Sequence, residues 1–151
     1  RTSTVAANAY IGPIVSTYLE KLETRLKEDG FQGPLLIMQS SGGLMDSQIA
    51  KEQCIQMLES GPAGGVIGVK TLSQILDIPN AISFDMGGTT AKANVIENGI
   101  PRMANDYYVG DYATGLSIRI PVIEIKEVGT GGGSIAWIDE ANGLHVGPIS
   151  A

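Results

Sequence analysis

The chain has 151 residues, 43% hydrophobic and 17% charged, which suits one domain or two incomplete ones with a real core and excludes disorder by composition. A net charge of −6 with 5% aromatics and no basic patch disfavours a nucleic-acid partner, and no apolar run reaches the roughly 18 residues of a membrane span. The single cysteine, Cys54, excludes an internal disulfide and, with no signal peptide opening the chain, points to a reducing, cytoplasmic compartment.

Residues 4–29 are expected to be helical. Val5, Tyr10, Ile14, Tyr18, Leu22 and Leu26 recur near the helical period and predict the buried stripe. Ser3 or Thr4 is the expected cap, Gly30 the expected end, and Pro13 predicts a break or kink near Gly12. The late charges, from Glu20 to Asp29, read as a solvated outer face. Leu35 to Gln39, after Gly33-Pro34, is expected to be a buried strand. The polar turn Ser40 to Gly43 then lies at a strand end, where open α/β sheets place ligands. Residues 46–57 predict a second helix capped by Asp46. Cys54 inside it reads as a small buried residue, since the only histidine, His145, is distant in sequence. Ser60 opens a third helix running to about Leu76. Its small residues Ala63, Gly64, Gly65 and Gly68 strip one face at about 1 kcal/mol per glycine. Close approach of another helix or of a ligand accounts for that equally well.

Beyond Asp77-Ile78-Pro79-Asn80 the pattern shifts to strands. Residues 81–85 and 91–97 predict two strands around a turn at 86–89. Asn98-Gly99 signals a further hairpin, with residues 101–109 as the next strand and 118–125 as another, edged or bulged at Pro121. A second glycine loop, Gly129 to Ser134, precedes a small hairpin around Asn142-Gly143. The expectation is an αβα first half and a meander of strands in the second.

The stretch Phe84-Asp85-Met86-Gly87-Gly88-Thr89-Thr90-Ala91-Lys92 carries the chemistry. A strand delivers Asp85, whose carboxylate suits Mg²⁺ held through waters. Gly87 and Gly88 present backbone amides without a Cβ in the way. Thr89 and Thr90 add hydroxyl donors for phosphate oxygens, and Lys92, on the face of the returning strand shared with Thr90, adds a point charge. The competing reading is a plain hairpin with Gly-Gly at its tip and an exposed acid. No G-x-x-x-x-G-K-[ST] loop and no G-x-G-x-x-G fingerprint is present. Ser40 and Ser41 lack a histidine partner and a G-x-S-x-G elbow, which argues against a serine hydrolase. His145 reads as an outward polar residue, Trp137 as packing, and Asp106 and Asp111 as residues of a loop that would line a cleft.

The run Leu58 to Ile96, "LESGPAGGVIGVKTLSQILDIPNAISFDMGGTTAKANVI", resembles the hydantoinase A / 5-oxoprolinase family. "NAYIGPIVSTYLEKL" from Asn8, "LLIMQSSGGLM" from Leu35, "VGTGGGSIAWID" from Val128 and the closing "HVGPISA" match it too, so the resemblance covers the chain. Acetone and acetophenone carboxylase subunits fall in the same broader group. The resemblance implies an α/β fragment of an actin/Hsp70-like (ribonuclease-H-like) ATPase fold, helical first and a β-meander after. Residues 1–60 would end the first half, 61–78 would be the connecting helix, and 79–151 would open the second half with its phosphate-loop hairpin. It further implies ATP with Mg²⁺ at Asp85, and phosphate held by Gly87, Gly88, Thr89, Thr90 and Lys92. Gly131, Gly132 and Gly133 form either a ligand-proximal loop or a structural turn.

The implied reaction opens a cyclic amide through phosphorylation of its carbonyl oxygen. Hydantoin, 5-oxoproline or a ketone is the implied substrate class, and a hydantoinase B type chain the implied second subunit. An ATP-dependent ketone carboxylase subunit and a non-enzymatic, Hsp70-like ATP switch are the rivals. Many members of the family carry a second acid after the threonines, where this chain has Ala91-Lys92, and their amino-terminal phosphate loop is absent here. The chain, opening on Arg1 rather than Met, therefore reads as a piece of a longer protein that does not turn over substrate by itself.

Overall fold

The computed structural model describes residues 1–110 and 113–151; the expectation at Asp111 lies outside them. The chain divides into two compact units, Arg1–Ile67 with Met103–Ile123 and Gly68–Arg102 with Glu124–Ala151. Both helix and sheet are present. Among the described residues no helix is long and apolar enough to cross a membrane.

In the first unit the long helix α1 (Thr2–Glu28) runs through Pro13 without a break. A proline removes a single ladder donor, and the remaining turns carry the helix past it. Its carboxyl end closes as expected at Gly30, which takes φ +88. Gly30 N–H donates to Lys27 O and Phe31 N–H to Leu26 O, the paired bonds of a Schellman ending. Neither Ser3 nor Thr4 caps the start. Arg1 occupies that position without a side-chain bond, while Ser3 Oγ donates to Ser117 O at 2.5 Å and Thr4 Oγ1 accepts from Arg119 N–H at 2.9 Å.

The expected apolar stripe of α1 is largely the wrong face. Tyr10 is 81% exposed and Ile14 71%, whereas Leu19 is fully buried. Leu19, Met45 and Ala50 form a core against which Val15, Ile37 and Met57 pack. The packed face also holds polar groups that a count of apolar residues passes over. Asn8 Oδ1 accepts from Ile55 N–H at 3.0 Å, and Glu23 binds Lys51 Nζ at 3.1 Å and the Ser47 hydroxyl. The Ser47 bond first, then Lys51, holds the Glu23 carboxyl below its ordinary range.

Two short strands, β1 (Leu36–Met38) and β2 (Leu44–Asp46), pair antiparallel. β2 is an addition to the αβα order expected of the first half. Leu44-Met45-Asp46 is only three residues, the last of them the helix cap itself, too few for a visible alternation. β1 is also less buried than expected, since Leu36 is 49% exposed and Ile37 and Met38 are half-buried. Asp46 does cap α2 (Ser47–Glu52), accepting from Gln48 N–H at 2.8 Å, and a 3-10 turn at Cys54–Met57 completes the predicted segment. Cys54 is 1% exposed, and burial pushes its thiol up, so it is a packing residue.

Ser40, in the turn between β1 and β2, is 2% exposed. Its hydroxyl is directed at Gln56 O and Leu58 O, and its carbonyl accepts from Ile123 N–H at 2.8 Å. This half of the expected ligand turn is therefore a structural knot. Ser40→Ala is expected to cost about 1 kcal/mol by removing the buried hydroxyl that the half-buried Leu58 carbonyl accepts from, measurable as a shift in the urea midpoint at unchanged slope.

The helix α3 (Ser60–Ile75) matches its predicted span. Of its glycines, Gly64 faces Met38, whose Cε lies 3.7 Å from a Cβ built there, while Gly61, Gly65 and Gly68 meet nothing within 4 Å.

Beyond α3, the predicted strand at 101–109 is three pieces: β5 (Ile100–Pro101), β6 (Met103–Ala104) and β7 (Tyr107–Val109). The segment 118–125 is likewise split into β8 (Leu116–Ile118) and β9 (Val122–Ile123) about Pro121, which has no amide to donate. β6 pairs β9 and β7 pairs β8 in the first unit.

The second unit holds a four-stranded antiparallel sheet. β3 (Ala81–Met86) pairs β4 (Ala91–Glu97), and β4 pairs both β5 and β10 (Lys126–Val128). Asn98 and Gly99 take φ 52 and 74, the left-handed pair that the predicted tight turn requires. A separate hairpin joins β11 (Ser134–Ile138) to β12 (Leu144–Ser150).

The tip of that last hairpin is organised by Asp139, which accepts from Gly143 N–H at 2.8 Å, Ala141 N–H at 2.9 Å and meets His145 Nε2 at 2.6 Å. His145 stacks on Trp137 with centroids 4.6 Å apart. The His145 bond, followed by the Gly143 amide, holds the Asp139 carboxyl below its ordinary 3.8. A depressed carboxyl contributes stability above its unfolded value and loses it as pH falls through the folded one. This contribution of Asp139 is therefore expected to be lost as pH falls below about 4, with Trp137 fluorescence reporting the loosened hairpin. Asp139→Asn should flatten that acid-side transition.

Candidate functional site

The candidate loop is residues 87–90, between β3 and β4. Register sets its base. Asp85 on β3 lies opposite Lys92 on β4, and Lys92 lies opposite Glu127 on β10. Side chains of directly paired residues share a sheet face, so an acid, a lysine and a second acid form one row across three strands. Lys92 Nζ lies 3.8 Å from Glu127 Oε2. The Asp85 side chain is exposed and accepts no hydrogen bond from the described residues. β10, with Glu127, begins just beyond the strand expected at 118–125 and falls outside that expectation, because Lys126-Glu127-Val128 carries no apolar alternation. The glycine loop immediately after it was the available signal.

Gly87 N–H donates to Thr90 O at 2.9 Å and closes the turn. Among the described residues, the amides of Gly88 and Thr89 and the hydroxyls of Thr89 and Thr90 donate to no protein acceptor. Gly88 does not take a left-handed φ. A Cβ built on it meets nothing within 4 Å. The chain's own packing thus gives no reason for glycine at 88, while a ligand resting on the backbone would.

The second predicted glycine loop comes to the same place. Gly132 N–H donates to Gly87 O at 2.8 Å and Gly133 N–H reaches Gly88 O at 3.3 Å. A Cβ on Gly131 would lie 2.5 Å from Gly88 C, Gly88 O and Thr89 N. The two loops are stacked backbone on backbone because β10 runs antiparallel to β4, so the loop leaving one strand meets the loop entering the other.

Among the described residues no group of three His, Cys, Asp or Glu side chains converges to hold a metal by itself. A single exposed carboxylate is nevertheless a fitting donor for Mg²⁺, which keeps several waters and takes one or two carboxylates beside substrate phosphates.

A family model described as hydantoinase/oxoprolinase matches residues 1–151. An uncharacterized protein of Methanocaldococcus jannaschii is 48% identical over 159 residues, which is 100% of this chain and 23% of that protein. The caprolactamase subunit alpha of Pseudomonas jessenii is 35% identical over 151 residues, 100% of this chain and 21% of the subunit. The crystal structure of the ATP-dependent caprolactamase from Pseudomonas jessenii superposes with a TM-score of 0.77 at 35% identity, over 100% of this chain and 21% of that chain. Nucleotide-free acetone carboxylase, from ATP-dependent acetone carboxylation, superposes at 0.66 and 33% identity over 87% of this chain and 18% of that one. The chain therefore spans about a fifth of the length of the relatives it matches.

Proposed function

Because the chain belongs to the hydantoinase/oxoprolinase family over its whole length, we propose that it supplies a phosphate loop to an ATP-dependent enzyme that opens a cyclic amide. One observation carries this reading: an acid at a strand end is followed by a turn with undonated amides and hydroxyls and a glycine that the fold does not need. Caprolactamase from Pseudomonas jessenii, which superposes over the entire chain, is ATP-dependent and acts on a lactam.

In the proposed reaction the amide carbonyl oxygen attacks the γ-phosphorus and ADP leaves. Water adds to the activated carbon, the C–N bond breaks as nitrogen takes a proton, and hydrolysis of the remaining acyl phosphate releases carboxylate and phosphate. Such transfers are accelerated by fixed donors around the moving phosphoryl group. The amides of Gly88 and Thr89 and the hydroxyls of Thr89 and Thr90 are those donors. Lys92, held by Glu127, places a positive charge at the base of the loop. Asp85 would hold Mg²⁺, which supplies charge neutralisation on the phosphates when bound.

The wider architecture proposed is the actin/Hsp70-like one, with residues 1–60 and 79–151 as parts of its two halves and 61–78 as the helix between them. A second chain of hydantoinase B type is the proposed partner, since the Pseudomonas jessenii relative is itself named as a subunit. A ketone carboxylase subunit is the second reading, favoured by the likeness to acetone carboxylase.

ATP hydrolysis by the full-length protein separates these readings. Hydantoin, 5-oxoproline, caprolactam, or acetophenone with bicarbonate is added in turn. Stimulation by a cyclic amide is expected. Stimulation by the ketone with bicarbonate alone would replace the hydrolase with the carboxylase, and slow turnover indifferent to all of them would favour a nucleotide switch.

A further inference from the structure

We infer that Gly131, Gly132 and Gly133 are positioning residues that aim the phosphate loop, and that they do not themselves bind nucleotide. This rests on the phosphate-loop reading and assigns the second glycine loop a role within it. The argument is one of peptide geometry. In a trans peptide the carbonyl of one residue and the N–H of the next point in opposite directions. The one cis bond among the described residues is Gly147-Pro148, so the peptides joining 87 to 88 and 88 to 89 are trans. Gly132 and Gly133 draw the carbonyls of Gly87 and Gly88 toward the second loop. The N–H groups of Gly88 and Thr89 are thereby turned away from it, together and on one side. Adjacent amides directed the same way form an anion-binding concavity.

Contact at Gly131 makes the arrangement exacting. Gly131 is buried, and its φ is not left-handed. Glycine is needed there only because a Cβ would lie 2.5 Å from three backbone atoms of the peptide joining Gly88 to Thr89. Gly88 is the reverse case, with open space beside its missing Cβ. One loop is glycine so that the other loop can touch it, and the other is glycine on the side facing away. The brace is itself tied down. Ser134 Oγ accepts from Gly131 N–H at 3.0 Å, Ser134 N–H donates to Gly131 O at 2.9 Å, and Gly133 O accepts from Ala151 N–H at 2.8 Å.

The test compares dissociation constants for ATP and for adenosine, by calorimetry on the full-length protein, with the melting temperature recorded for each variant. Gly131→Ala is expected to weaken ATP by about 10-fold or more, the scale of losing aligned donors to an ion. Adenosine, which has no phosphate, should change less than about 2-fold, because no nucleoside contact is assigned to this loop. Gly129→Ala, where a Cβ meets nothing within 4 Å, should change neither. If Gly131→Ala does not fold, Ser134→Ala loosens the same loop and should weaken ATP selectively by a smaller factor.

Equal loss of ATP and adenosine in the brace variants, or no loss of either, overturns the inference. Gly88→Ala distinguishes its failure from that of the underlying reading. Unchanged ATP affinity in Gly88→Ala removes the phosphate loop altogether. Weakened ATP in Gly88→Ala with normal ATP in Gly131→Ala and Ser134→Ala removes only the brace.

Discussion

Asp85→Ala is expected to lower substrate-stimulated ATP turnover of the full-length protein by about 100-fold or more, the scale on which transition-state charge stabilisation is lost. Its melting temperature should hardly move. Asp85 is exposed and accepts no hydrogen bond from the described residues, and surface changes of that kind usually stay within about 0.5 kcal/mol. That separation of activity from stability is what makes the variant informative. If Asp85 acts by holding Mg²⁺, Asp85→Asn should raise the Mg²⁺ concentration needed for half-maximal turnover, since an amide is a weaker ligand for a hard cation. A fully active, normally folded Asp85→Ala would sink the metal role and leave the loop as a plain hairpin. The row of Asp85, Lys92 and Glu127 adds a second expectation. Glu127→Gln should leave the fold intact, since its exposed pair with Lys92 stabilises by at most about 1 kcal/mol.

The elements that carry the candidate site were legible because their signals are local. Asp85 to Lys92 announces a hairpin by glycines between two alternating runs, and β3 and β4 fall within one residue of the expected bounds. Gly30 and Asn98-Gly99 were readable for the same reason, since a left-handed backbone needs particular residues. What escaped is what depends on partners remote in sequence. β10 is a strand because β4 offers it an edge, not because Lys126-Glu127-Val128 has a pattern. Nothing near residue 131 says that residues 87–89 lie against it, although the glycine run itself marks a close approach. On α1 the apolar count chose Tyr10 and Ile14, while Asn8 and Glu23 anchor the face that packs. A helix face is selected by what hydrogen-bonds and fits as well as by what is apolar.

Asn94→Asp is expected to destabilise the protein by about 3 kcal/mol or more at neutral pH, the scale of leaving a buried charge uncompensated. Asn94 lies two positions along β4 from Lys92 and is 2% exposed. Its Nδ2 donates to Arg102 O at 3.1 Å and to Glu124 O at 2.8 Å. Those two segments are also joined directly, Glu124 N–H to Arg102 O at 2.9 Å, so one amide group ties β4 to both. Among the described residues Asn94 Oδ1 is buried without a partner, so the side chain is present for its two donors. Aspartate would set a carboxylate against two carbonyls and lose both bonds. Burial and repulsion raise such a carboxyl in the folded state. A raised carboxyl makes the variant relatively more stable as pH falls through the folded value, because the protonated acid regains one donor. Urea unfolding at pH 7 and at pH 5 should therefore show a smaller deficit at pH 5. Asn94→Leu, which removes the orphaned acceptor along with both donors, should cost less at pH 7 and show no pH dependence of its own. An Asn94→Asp protein within 1 kcal/mol of wild type at both values would mean that the Arg102 and Glu124 carbonyls find other donors, and that the β4 end of the candidate loop is held by the sheet ladder alone.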